Sequence, residues 1–319
     1  MCIRDSSKEA RTIFDPKDDD VLTYLDDDGR SIEPEYYMPT LPMILVNGSE
    51  GIGTGFSCYV PPFNPDDIKQ NILRFARGES MVSMKPWFRG FKGKIMEQDD
   101  ETWVAQGVWT CIGKTVKVSE LPPGRWTQDY KEYLDSLVEK KIISGFTNNS
   151  TTENVDFVIQ DYSGKDVVKD LKLEKTIRCS NMHLFHPTKG ICKYKSPGHI
   201  LVDFIQLRME FYKKRKTHLI QVTKEKAELC SHRARFVKMV IDGDIVVFRR
   251  KKQELEAQLS TIFPKVNESY DYLLHTKTID YTEERVKALF EEWTKLKNDL
   301  YLLEATGYFD MWETDLKKL

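Results

Sequence analysis

The sequence lacks any apolar run near the ~20 residues that a membrane-crossing helix needs. It also lacks the apolar stretch of a secretory signal after Met1-Cys2-Ile3-Arg4. It therefore reads as a soluble protein with no membrane among its partners. Cysteines are sparse, at positions 2, 58, 111, 179, 192 and 230, with no CxxC pair. That excludes a zinc ribbon or a thioredoxin-type motif and fits a reducing compartment. No complete phosphate-binding glycine motif is present. Gly113-Lys114-Thr115 mimics the end of a P-loop, but the glycine required at position 108 is Val108, and Val116-Lys117-Val118 follows as a strand instead of a helix. Gly51-Ile52-Gly53-Thr54-Gly55 fails the dinucleotide pattern because Phe56 follows it. His183 and His186, three apart on an expected strand, face opposite sides and make a poor metal pair. The runs Asp18-Asp19-Asp20 and Asp26-Asp27-Asp28 have no partner cluster at useful spacing and read as solvated acidic loops and turns. No metal site is expected.

What the chain has is length and charge. At roughly 100–200 residues per domain, 319 residues allow two or three domains. Aromatics at 11% argue against disorder, and apolar residues at 40% can build a core. The net charge of −2 is unevenly spread: residues 1–60 carry −7, 61–164 carry −2, 165–260 carry +11 and 261–319 carry −4. A +11 segment in a near-neutral chain fits either a nucleic-acid footprint or the solvated face of a coiled coil.

Periodicity predicts an α+β protein. Met43 to Val46 is a short buried run ended by Asn47-Gly48. Asn64-Pro65 starts a helix with Ile68, Ile72 and Phe75 on one face. Strands over 93–96, 103–111 and 115–118 form a meander. Thr127 caps a helix that buries Tyr130, Tyr133, Leu134, Leu137 and Val138. A strand over 155–159 and a short helix over 167–173 follow, then strands over 182–185 and 191–194 joined by a turn at Thr188-Lys189-Gly190. After Ser196-Pro197 there is no Pro, and no Gly beyond Gly198, until Gly243, which predicts a helix of about 45 residues. Its seam, alternating by four and three, runs Leu201, Ile205, Arg208, Tyr212, Arg215, Leu219, Val222, Lys226, Leu229, Arg233, Phe236 and Val240. Lys213 to Lys216 read as a solvated face. A second helix from Thr282 has the seam Val286, Leu289, Trp293, Leu296, Leu300 and Leu303. The expected architecture is a mixed β/α tower-like segment, then a long antiparallel coiled-coil arm with a small dimerisation head at about 242–281. Ile245, Val246, Val247 and Phe248, with Tyr270, Tyr272, Leu273 and Leu274, are the candidates for the head's core and interface.

Several motifs carry a resemblance. They include Glu33-Pro34-Glu35-Tyr36-Tyr37-Met38-Pro39, Pro42-Met43-Ile44-Leu45-Val46-Asn47-Gly48 and Glu50-Gly51-Ile52-Gly53-Thr54-Gly55. Pro61-Pro62-Phe63-Asn64-Pro65, Pro86-Trp87-Phe88-Arg89-Gly90 and Met311-Trp312-Glu313-Thr314-Asp315-Leu316 continue it. Together they resemble eukaryotic-type (type IIA) DNA topoisomerase II from about Arg11 to the end. The resemblance implies the C-terminal part of the breakage–reunion core. Residues 1–80 would end the winged-helix region, 81–195 would form the tower, and 196–319 the coiled-coil exit gate. It implies an N-terminally truncated chain, because the ATPase and TOPRIM regions of the family have no counterpart. The family's catalytic tyrosine would fall at position 1, which is Met1, and residues 1–6 look like a cloning or reading-frame scar. No catalytic residue is expected, and Tyr36 and Tyr37 match a non-catalytic motif.

The implied function is a share in ATP-dependent passage of one duplex through a transient break in another. The complete enzyme would use Mg²⁺ and ATP, with no cofactor in this chain, which alone would be inactive. The implied partners are double-stranded DNA, a second copy through the coiled-coil gate, and the missing ATPase and TOPRIM regions. The site would be the nucleus, or a viral replication site. Ile52 would be an intercalating wedge, with Gly51 and Gly53 admitting backbone close to the duplex and Thr54 bonding phosphate. Without the resemblance, the same residues read as a glycine-rich structural turn. Lys172, Lys175, Arg178, Ser180 and Asn181 would meet phosphates, against an ordinary exposed basic loop. The alternative function is a stand-alone, non-catalytic, dimeric DNA-bending protein.

Overall fold

The computed structural model describes residues 10–99, 101–187 and 189–319. Met1 and Thr188 lie outside the described residues. The chain divides into two compact units: residues 39–207, and residues up to 38 together with 208–319. The α+β class expected from the sequence is observed, as small antiparallel sheets and one very long helix.

The chain opens with α1 (Ala10–Ile13) and a 3-10 turn over Pro16–Val21. Asp15 caps that turn by accepting the Lys17 N–H, with Pro16 in the first turn, where a missing N–H costs nothing. Strands β1 (Tyr24–Asp27) and β2 (Arg30–Pro34) then form a hairpin. Its turn uses Asp28 and Gly29 at positive φ, as the acidic run at 26–28 predicts.

Residues 39–207 begin with α2 (Met43–Asn47). The run expected to be buried is a single helical turn, and of its residues only Leu45 is fully enclosed. Gly48 ends it with φ near 70°, and a Cβ there would sit 2.7 Å from the Val60 carbonyl. Strands β3 (Ser49–Gly53) and β4 (Phe56–Val60) make the next hairpin. Helix α3 (Pro65–Ala76) starts as expected, with Asn64 accepting the Asp66 N–H and Ile68 and Ile72 buried. The buried Asn71 amide bonds both ways to the backbone of Val82, pinning the segment after α3.

The expected three-strand meander is two hairpins in different sheets. Strands β5 (Lys94–Asp99) and β6 (Thr102–Gln106) pair with each other, while β7 (Trp109–Ile112) and β8 (Thr115–Val118) form the next pair. The run 103–111 breaks at Gly107, where an added Cβ would collide with the Glu120 carbonyl. The Gly107 N–H turns away to Leu173 O, 2.9 Å distant, so the chain changes sheet there. The Gly113-Lys114 turn lies between two strands, which is not the strand-to-helix passage of a P-loop. Helix α4 (Thr127–Glu139) buries Tyr130, Leu134 and Leu137 as expected. Its N-cap is Trp126, with no side-chain bond, so Thr127 is the first helical residue and not the cap. Strands β9 (Gly145–Asn148) and β10 (Phe157–Gln160) complete the four-stranded sheet β7-β8-β10-β9. Phe157 and Ile159 pack under α4, and each such buried side chain contributes about 1.5–3 kcal/mol. The short α5 (Val167–Asp170), capped by Asp166, leads into β11 (Glu174–Arg178), which joins the sheet β11-β6-β5. Strands β12 (Met182–His186) and β13 (Gly190–Tyr194) form the hairpin expected at 182–194.

Helix α6 (Pro197–Ile241) has the expected 45 residues, about 67 Å at 1.5 Å per residue. The head follows as α7 (Lys252–Ser260) and α8 (Asp271–Leu274). The arm returns as α9 (Glu283–Ala305), capped by Thr282, and the chain ends in α10 (Tyr308–Leu316). Helices α6 and α9 are antiparallel: Cys230 Sγ lies 3.3 Å from Leu289 O, while Lys216 Nζ donates to Glu304 O and Thr306 O at 2.8 Å. The seam expected on α9 is the face that packs. The seam expected on α6 holds as far as Val222 and again at Phe236 and Val240, but fails between them. Lys226 and Arg233 are exposed, and Ala227, Cys230, Ala234 and Val237 take the buried positions one residue later. A helix of 3.6 residues per turn drifts about 20° per heptad from a strict 3.5 repeat, and the small residues follow that drift. In the head, Ile245, Tyr270 and Leu273 are core, while Val246 and Phe248 stay exposed.

One network holds residues 10–38 to the arm. Arg208, Tyr212 and Arg215 stand at i, i+4 and i+7, one stripe of α6, and all three are buried. Arg208 Nη2 donates to Asp18 Oδ2 at 2.7 Å, and Arg215 Nη2 to Asp15 Oδ2 at 3.2 Å. Arg215 Nη1 lies 3.0 Å from Asp315 Oδ2, the oxygen to which the Tyr212 hydroxyl donates at 2.9 Å. Lys318 Nζ reaches the other Asp315 oxygen at 2.6 Å. The Tyr212 ring stacks on Trp312 beneath these charges. Asp18 is thus a buried ion-pair partner and not part of a solvated loop. Within the expected solvated face 213–216, Arg215 is buried and Lys216 caps the last carbonyls of α9, leaving only Lys213 and Lys214 exposed.

Burial acts to raise the Asp315 carboxyl, but Lys318, Arg215 and Tyr212 together hold it below its ordinary value. Asp18 is shifted the other way, because burial outweighs Arg208 and Arg215. A lowered carboxyl contributes stability above its unfolded value, near 3.9, and loses it as pH falls through the folded value. Asp315→Asn should therefore cost roughly 3–5 kcal/mol at pH 7 in urea unfolding, and the gap from the native chain should close below about pH 4. Equal gaps at pH 7 and pH 3 would contradict an ionised Asp315.

Candidate nucleic-acid interface

The hairpin β3–β4 turns through Thr54 and Gly55, with Gly55 at φ 84°. Ile52 pairs with Ser57, one step from the turn, and strand alternation puts it on the open face. Its side chain is 89% exposed, an unusual position for an isoleucine on a well-formed strand. Gly55 meets the turn's need for positive φ. Gly51 has no such need, since a Cβ there would meet nothing within 4 Å. Packing within this chain therefore does not require Gly51, and the bare backbone is open to an outside contact. Gly53 and Thr54 are exposed at the tip.

The hairpin is fixed from behind by the start of β12. The Tyr59 N–H donates to Asn181 O at 2.9 Å, and Asn181 Nδ2 donates to Ser57 Oγ at 2.7 Å. The His183 N–H reaches Cys58 Sγ at 3.4 Å. Two segments of the expected site, more than 120 residues apart, thus form one body. One amide hydrogen of Asn181 is committed to this clamp.

The basic stretch expected to meet phosphates is a strand over Glu174–Arg178 and not a loop. β11 pairs with β6 from Glu174↔Gln106 to Arg178↔Thr102. Lys172 precedes it at positive φ, with its ammonium 3.9 Å above the Tyr133 ring. Lys175 Nζ donates to Gly124 O at 3.3 Å. Lys175 and Arg178 are exposed but, three apart on a strand, leave opposite faces. Ser180 is half-buried where β11 passes into β12. Among the described residues no group of three or more His, Cys, Asp or Glu is placed to hold a metal ion. No helix among them is long and apolar enough to cross a membrane.

Sequence reasoning passed over two residues beside Ile52. Phe185 and Ile191 are directly paired across β12–β13, are both exposed, and line a shallow groove of about 350 Å³ with Gly51, Ile52 and Gly53. Their signal was the alternation in Met182–His186, in which Met182 is buried and Phe185 falls on the opposite face.

Asn181→Ala should loosen the hairpin without unfolding the protein. Amides of β4 should exchange with deuterium about fivefold faster, as loss of a bond worth about 1 kcal/mol implies. Unchanged exchange would show that the backbone bonds alone fix the hairpin.

The sequence matches the family model for the A-type subunit of DNA gyrase/topoisomerase IV over residues 5–317. It is 34% identical to DNA topoisomerase 2 of Penicillium chrysogenum over 97% of this chain and 22% of that protein. It is also 34% identical to a mitochondrial DNA topoisomerase 2 of Dictyostelium discoideum over 97% of this chain and 26% of that one. The crystal structure of the Plasmodium falciparum topoisomerase II DNA-binding, cleavage and re-ligation domain superposes with a TM-score of 0.87 at 31% identity, covering 97% of this chain and 47% of that one. The chain thus spans about a quarter of the length of these curated relatives. With the β3–β4 hairpin, the arm and the head in one matching fold, it belongs to the type II DNA topoisomerases, in the DNA gyrase/topoisomerase IV family.

Proposed function

We propose that this chain binds and bends the gate duplex of an ATP-dependent type II topoisomerase and forms its exit gate. The observation that carries the first part is Ile52, an 89% exposed apolar side chain on a hairpin clamped at Ser57, Cys58 and Tyr59. A rigidly held wedge can unstack a base step, at a cost of a few kcal/mol, and kink the duplex. A mobile one would fold back onto its own surface. Gly51 and Gly53 let the hairpin backbone approach, and Thr54 offers a hydroxyl to phosphate. Lys172, Lys175 and Arg178 serve as phosphate contacts, whose role is to position the duplex and not to read sequence. Ser180 and the remaining amide hydrogen of Asn181 complete the set.

The functional parts follow as winged-helix end (1–80), tower (81–195) and gate arm (196–319). The exit-gate reading is supported by the head, where Val246 and Phe248 stay exposed beside a closed core. Such a patch at the end of an antiparallel arm suits an isologous contact with a second copy. Mg²⁺ and ATP would serve the complete enzyme through its other parts, and tyrosine attack on the phosphodiester would come from there too. The setting is nuclear, or a viral replication site.

The test uses a fluorescent duplex with dyes at both ends. The native chain should bind it with an affinity that falls steeply with salt, and should bring the ends together. Ile52→Ala should retain association within about threefold and lose most of the bend, because the wedge acts on the step and not on the phosphates. Lys172→Ala and Arg178→Ala should each lower the salt slope by about one. A native chain that binds without bending would sink the wedge. Salt-insensitive or absent binding would sink the interface, and strand religation by this chain alone would overturn its predicted inactivity.

A further inference from the structure

We propose that Phe185 and Ile191 form a second apolar contact with the gate duplex, seated against the sugars that flank the step opened by Ile52. The proposal rests on the wedge reading above and extends it to a surface with no assigned role.

The argument starts from strand alternation. On β12–β13 one face carries Met182 and Tyr194, both buried, and turns into the protein. The other face carries Phe185 opposite Ile191 and His183 opposite Lys193. Phe185 is 83% exposed and Ile191 54%, so the centre of this open face is apolar. A phenylalanine paired with an isoleucine gains nothing in solution from that exposure, and such a patch marks an interaction surface. Lys189, Lys193 and Lys195 are exposed on the same hairpin and its exit. An apolar centre with cationic neighbours suits a polyanion whose grooves have apolar sugar walls, and suits a second protein surface less well.

Continuity with the wedge selects the same occupant. Ile52 and the Phe185–Ile191 pair line one groove, together with Cys58 and His183. The Asn181 clamp and the His183–Cys58 bond hold the two hairpins in that arrangement. A side chain driven between bases from this groove brings the flanking nucleotides against the other residues that line it. Van der Waals contact there would hold the widened groove open, so the rigid pair would position the kink and not create it.

The test uses the full chain and the end-labelled duplex of the preceding experiment, with Ile52→Ala as the reference. The double variant Phe185→Ala, Ile191→Ala changes two exposed side chains, and its circular dichroism and melting should match the native chain. It should bind the duplex about tenfold more weakly, the effect of losing one well-packed aromatic contact. Its salt slope should be unchanged, because apolar contacts release no counterions. Lys193→Ala should behave oppositely, with the slope lower by about one. A photo-crosslinking phenylalanine analogue at position 185 should attach to nucleotides within about three of the kinked step. Three outcomes would overturn the proposal. A double variant that binds and bends like the native chain, while Ile52→Ala loses the bend, would remove this contact and leave the wedge reading intact. A native chain that does not bind duplex would remove both. A double variant that turns a dimer into a monomer in sedimentation without DNA would assign the patch to a second copy of the chain.

Discussion

Two guanidinium groups inside the protein set the main constraint on the arm. Arg208 and Arg215 are buried on α6, and a buried arginine cannot shed its proton. Each must therefore be met by carboxylates, and those come from far along the chain: Asp15 and Asp18 from the start, Asp315 from the end. The pairing fixes which turn of the long helix the first segment lies on and where the last helix docks. Apolar packing alone would tolerate a shift of one turn. A misplaced carboxylate here leaves a buried charge unpaired, which costs several kcal/mol. Tyr212 and Trp312 fill the space under the charges, so the network and the aromatic stack enforce the same register.

The candidate interface uses a different device for the same end. Its hairpin is short, and a two-stranded hairpin alone is marginal in water. Asn181, Cys58 and Tyr59 make it part of a larger body through side-chain and backbone bonds. That allows an isoleucine and a phenylalanine to remain exposed without collapsing onto the surface. The exposed apolar residues are thus supported by hydrogen bonds among mostly half-buried residues behind them.

The arm shows a third balance. Ala227, Cys230 and Ala234 are small, so α6 and α9 approach closely near the head, where Cys230 reaches Leu289 O. Lys216 closes the other end by capping the last carbonyls of α9. The expected seam failed at Lys226 and Arg233 because a strict seven-residue count assumes supercoiling throughout. The helix kept its natural period, and alanine and cysteine are weak signals in a hydrophobic pattern.

Much was determined by sequence alone. The absence of Gly and Pro after Gly198 set the length of α6, and Thr282 set the start of α9. Asn64-Pro65 began α3, and the motif around Ile52 carried the family. These are local properties, decided by backbone dihedrals, caps and short spacing, and they survive without knowledge of distant neighbours. The tertiary structure decided the rest. Nothing local distinguishes Asp18, buried against Arg208, from the exposed Asp26 to Asp28, nor the buried Arg215 from the exposed Lys213 and Lys214. Gly107 separates two sheets only because Glu120 folds back beside it. Asn181 became a clamp because β12 lies along β4. Burial, charge pairing and groove formation are relations between residues far apart in the chain, so their energies exist only once the fold has brought those residues together.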